Sequence, residues 1–139
     1  MRKEHIEIQK STKRRFSNRF FIKCEAIYGK NYLPNEKSRI YQPDVIIKNK
    51  ISNEILYIIE VECDPVRKAL VGAAVLADYS INQMKVKTKP VLIYIIYTEE
   101  GIKQIHNFKE RIRVAKEYCK HLKDILIFTE KEFKKYKLI

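Results

Sequence analysis

The chain has no tryptophan, only three glycines and only four prolines. So little glycine and proline argues against a loop-rich architecture and for long regular elements joined by short connections. Cysteine is also scarce. Cys24, Cys63 and Cys119 are odd in number and far apart, which excludes a disulfide framework and any zinc-ligand spacing. They read as small buried residues of a reducing compartment. The longest uncharged apolar runs, 69–77 and 90–97, are too short to cross a bilayer. The first residues lack the apolar stretch of a signal peptide. An intracellular, cytoplasmic protein is therefore expected. Several catalytic schemes are missing as well. There is no glycine-rich phosphate loop and no nucleophile elbow. His5, His106 and His121 have no metal-ligand spacing, and His106 and His121 read as helix-surface residues.

Acid is the next shortage. The 29 Lys and Arg outnumber the 17 Asp and Glu, leaving a net charge of +12. A lysine-rich solvated surface is the plain explanation. A polyanionic partner, nucleic acid first, is the sharper one. The 139 residues suffice for one domain with one core, and 45% of them are hydrophobic.

In order along the chain, residues 1–10 alternate weakly and suggest a frayed arm or an edge strand. Ser11 fits the N-cap of a helix over 11–28, with Phe16, Phe20, Cys24 and Ile27 as its buried stripe. Arg14, Arg15 and Arg19 decorate its other faces, and Glu25 lies beside the stripe. A loop over 29–40 leads to a short strand near 38–41. Two strands follow, 44–48 and 55–63, around the polar turn 49–54. Asp64-Pro65 starts a helix to about residue 82, whose 69–77 stretch is apolar all round and must be covered on two sides. The second cover is either another helix or a second copy of the chain. Lys85, Lys87 and Lys89 mark a basic loop. The run 90–97 reads as a strand buried on both faces. The next helix carries the stripe Ile105, Phe108, Ile112, Ala115, Cys119 and Leu122. A short strand over 125–128 and a last helix capped by Thr129 and Glu132 complete an α/β order with a mixed sheet flanked by helices.

The few acids are not scattered. Asp44 opens one strand, and Glu60 and Glu62 close the next on a single face. Two carboxylates ~5 Å apart repel by about 3 kcal/mol at an effective dielectric near ~20. Such a cluster needs a proton, a lysine or a metal ion. All-oxygen donors suit Mg²⁺ or Mn²⁺. An acidic centre in a basic periphery points to phosphodiester hydrolysis. The alternative is an ordinary Pro43-Asp44 turn, a solvated strand end and a helix cap.

Pro43-Asp44 followed by a strand ending Ile59-Glu60-Val61-Glu62 and then a helix resembles the PD-(D/E)XK nuclease superfamily. The order helix, three strands, helix, strand over 11–97 is similar to its core. The resemblance implies a restriction-endonuclease-like fold and Mg²⁺-dependent DNA cleavage. Asp44 and Glu60 would then be metal ligands, with Glu25 matching the acid many members carry on the first helix. Glu62 stands where the family has its lysine, and Lys68, one turn into the following helix, is the candidate substitute. Glu62 would serve as ligand or general base. Arg14, Arg15, Arg19, Lys85 and Lys87 would contact phosphates, and the apolar helix would suit a homodimer. Within the superfamily, the length, the basic charge and the lack of an appended domain are similar to those of archaeal Holliday junction resolvases, which are structure-specific, and of small viral or mobile-element nucleases. A catalytically degenerate nucleic-acid-binding module and a protein-interaction component are the competing expectations.

Overall fold

The computed structural model describes residues 2–31, 33, 40–62, 67–84 and 87–138, with the side chains of 67–69 outside that set. Five strands form one mixed sheet in the order β1-β2-β3-β4-β5. They are β1 (Phe20–Cys24), β2 (Val45–Asn49), β3 (Ile55–Glu62), β4 (Val91–Ile96) and β5 (Asp124–Thr129). The β1–β2 and β2–β3 pairs are antiparallel, and β3–β4 and β4–β5 are parallel. Helices α1 (Lys3–Phe16), α2 (Glu25–Tyr28), α3 (Arg67–Met84), α4 (Glu99–Lys103), α5 (Ile105–Tyr118) and α6 (Glu130–Lys135) complete the chain.

The sheet separates two apolar layers. On one face Ile46, Ile58, Leu92, Tyr94 and Ile96 meet Leu70, Ala74, Ala77 and Ile81 of α3 and Phe108, Ile112 and Ala115 of α5. On the other, Ile22, Val45, Ile47, Ile59, Val61, Ile93 and Ile95 meet Ile8 and Phe16 of α1 and Phe133 of α6. This two-sided burial is why β3 and β4 are continuous apolar runs instead of alternating ones. A buried hydroxyl at Tyr94 donates to the Leu70 carbonyl and pins α3 to β4. Asp78 of α3 accepts from the His121 amide at 2.7 Å and ties α3 to the turn before β5.

The expected helix over 11–28 is not one element. A helix covers Lys3–Phe16 instead of the expected arm or strand, and Phe20–Cys24 is a strand. Phe16, Phe20 and Cys24 recur every four residues, which fits the period of a helix and is also a multiple of the two-residue repeat of a strand. Phe20, Ile22 and Cys24 in fact point to one face, toward α1. The first of the three strands before α3 is thus β1; residues 38 and 39 of the expected strand near 38–41 lie outside the described residues. The long helix after β4 breaks at Gln104 into α4 and α5. Its expected stripe, Phe108, Ile112, Ala115, Cys119 and Leu122, is buried.

α1 and α6 are joined by Arg15. Its guanidinium donates to the Phe133 carbonyl at 2.7 Å and to that of Tyr136, and it lies 4.4 Å from the Phe16 ring centroid. Phe16 packs edge-on against Phe133. On α3 the inner side is covered, while Val75, Leu76 and Tyr79 remain exposed. Among the described residues no helix is long and apolar enough to cross a membrane.

Candidate active site

Strand register assembles the acids. Cys24 pairs with Val45, and Val45 pairs with Ile59. One step further along the antiparallel ladder, Glu25, Asp44 and Glu60 come to stand in a row across β1, β2 and β3. The Glu25 amide donates to the Asp44 carbonyl at 2.9 Å, so the row is hydrogen-bonded. Buried Asn31 braces it from below, with its amide nitrogen 2.9 Å from the Pro43 carbonyl and 3.2 Å from that of Lys23. Gln9 of α1 accepts from the Ala26 amide at 2.8 Å and fixes the start of α2.

Each acid is held separately. Asp44 accepts the Val61 amide on Oδ2 at 2.7 Å, and its Oδ1 lies 3.2 Å from Nε2 of His5 on α1. Glu60 accepts the hydroxyl of Tyr41 at 2.9 Å, both side chains being buried. Glu62, two residues on, is half-buried. Each carboxylate oxygen has two lone pairs, so one hydrogen bond apiece leaves capacity for a further donor or cation.

The electrostatics is that of crowded anions. Burial, and then the charge of Asp44, push the Glu60 carboxyl well above its ordinary range; the Tyr41 hydroxyl opposes this. The same two causes raise Glu62 to about 7. Burial and contact with Asp44 raise Glu25. Contact with Asp44 raises His5 against the opposing effect of burial. The Tyr41 phenol is pushed well up by burial and by the Glu60 charge.

Among the described residues no three His, Cys, Asp or Glu side chains converge to hold a metal ion as they stand. The donor types nonetheless fit a hard dication. They are carboxylates, they repel one another, and no lysine or arginine ion pair reaches them among the described residues.

The structure thus brings Asp44, Glu60, Glu62 and Glu25 to one end of the sheet. Glu25 arrives from the β1–α2 junction and not from the first helix. The side chain of Lys68 lies outside the described residues, as does Lys85. Lys87 is exposed. Arg14 is exposed and pairs with Glu7 at 2.6 Å, and Arg19 lies 5.2 Å from the Phe20 ring. Arg15 is engaged with α6 as described. Two members of the constellation were invisible in the sequence. His5 arrives only because α1 starts earlier than its capping residues suggest, and Tyr41 carries no local motif.

No family model, curated protein or solved structure matches the chain.

Proposed function

We propose that the protein is a metal-dependent DNA endonuclease with a restriction-endonuclease-like fold of the PD-(D/E)XK kind. The row of Glu25, Asp44 and Glu60 across three neighbouring strands, with Glu62 beside it, carries the reading. Asp44, Glu60 and Glu62 would hold Mg²⁺ or Mn²⁺, with Glu25 joining them. When bound, such an ion would offset the repulsion between acid and phosphate and would acidify the attacking water. The Val61 amide and the Tyr41 hydroxyl fix the orientations of Asp44 and Glu60. Glu62 would serve as a ligand or, where it stays off the ion, as the base that takes up the proton of that water. Lys68 would orient the water or balance developing charge. Arg14, Arg19 and Lys87 on the exterior would contact phosphates.

The test is incubation of wild type and Glu60→Gln with branched, single-stranded and duplex DNA in Mg²⁺ or Mn²⁺. Losing about 4 kcal/mol of transition-state stabilisation slows the variant about a thousandfold. Identical background-level products from both proteins on every substrate refute catalysis.

One observation favours a second reading, a nucleic-acid-binding module without catalysis. The oxygens of Asp44 and Glu60 already meet protein donors, and Glu62 replaces the lysine of the motif. Calorimetry with Mn²⁺ separates the two: saturable binding supports the nuclease, while salt-sensitive DNA binding without it supports the module.

A further inference from the structure

We propose that the exposed ring of Phe21, at the β1 edge of the sheet, is a stacking platform for an unpaired nucleotide, with Lys23 and Lys48 beside it as the charges that meet the phosphates. The nuclease reading gives this platform its purpose: the substrate would be single-stranded or branched DNA.

β1 is an edge strand, with β2 on one side only. Phe20, Ile22 and Cys24 turn toward α1, so Phe21 and Lys23 lie on the opposite face. That is the face on which Ile46 and Ile58 pack and on which Glu60 meets Tyr41. Phe21 keeps 50% of its surface in solvent there. A lone exposed aromatic is ordinary on a protein surface; its surroundings are not. Phe21 is paired across the ladder with Lys48, whose ammonium lies 5.4 Å from the ring centroid. Lys48 is buried, and its nearest polar partner is the Asn53 side chain at 3.5 Å. Lys23 stands two residues along the same face. Among the described residues neither lysine is ion-paired with a carboxylate. Burial, and then the charge of Lys23, lower the affinity of Lys48 for its proton, as expected of two cations lacking an anion.

An apolar ring flanked by unpaired cations suits a base on its sugar–phosphate chain. A duplex does not, because its base faces are stacked on one another. The position fits as well. Phe21 of β1 precedes Glu25 by four residues, and Lys48 of β2 follows Asp44 by four. At ~3.3 Å per residue the platform lies roughly 13 Å from the acid row.

The test is fluorescence anisotropy in EDTA, with a labelled oligothymidylate and a labelled duplex of equal length. Phe21→Ala is expected to weaken single-strand binding roughly tenfold or more, and duplex binding by less than about twofold. Phe21→Tyr, which keeps the ring, retains wild-type affinity. A melting curve checks that the alanine variant is folded. Equal single-strand affinity for wild type and Phe21→Ala overturns the proposal, and so does an equal loss on both DNAs or no binding by wild type. The measurement contains no metal, so cleavage plays no part in it. A protein that binds through Phe21 but never cuts refutes only the endonuclease. A cutting enzyme whose binding ignores Phe21→Ala refutes only the platform.

Discussion

Glu62→Gln is expected to stabilise the metal-free protein, by an amount that grows with pH. Burial and the charge of Asp44 raise the Glu62 carboxyl from 4.5 to about 7. The folded protein therefore binds a proton between those limits that the unfolded chain has released. Stability falls as pH rises through this window, and the loss is complete above about pH 7. The full difference is worth about 3 kcal/mol, of which about 1.4 kcal/mol is already lost at pH ~5.5. Glutamine carries no charge at any pH and escapes the penalty. The variant's advantage should thus be about 2 kcal/mol larger at pH ~8.5 than at ~5.5. Urea unfolding in EDTA at the two pH values measures it. An advantage that is equal at both, or absent, would falsify the claim that Glu62 is crowded by Asp44. The same experiment with Mg²⁺ in place of EDTA should stabilise the wild type at the higher pH by more than it stabilises the variant, which keeps the other carboxylates.

Two further outcomes follow from named contacts. Arg15→Ala removes two hydrogen bonds to α6 carbonyls and a ring contact at an exposed position, and should cost about 1–2 kcal/mol in urea unfolding after solvent screening. A change below ~0.5 kcal/mol refutes the clamp. If a second copy covers the outer side of α3, replacing Val75 and Leu76 together by Glu halves the sedimenting mass; equal masses for variant and wild type refute the homodimer.

The strands that deliver Asp44, Glu60 and Glu62 are legible because each is a short apolar run bounded by turn residues. So is the buried run 90–97, whose composition leaves it no solvent-facing side. The first thirty residues are not legible in the same way. Spacing of four at Phe16, Phe20 and Cys24 satisfies two periods at once, and only the packing of Phe20 and Ile22 against α1 decides for a strand. That choice also moves Glu25 from a helix face to a strand end, where pairing with Asp44 gives it a role. His5 and Tyr41 had no signal to offer. Each reaches its carboxylate through long-range packing, and nothing in the neighbouring residues announces the partner. Arg15 shows the converse: its charge suggested DNA, while its geometry spends the guanidinium on two carbonyls.

The Arg15–Phe133 contact has a consequence for biosynthesis. α1 brings His5 to Asp44, yet the packing that seats α1 includes a helix made more than a hundred residues later. A nascent chain can pair its first three strands early, because they are neighbours in sequence. α1 can rest on β1 and β3 by then, but the Arg15 bonds to the Phe133 and Tyr136 carbonyls form only once α6 has been made. The seat of the helix that carries His5 is therefore completed in two stages, first by the sheet and later by α6.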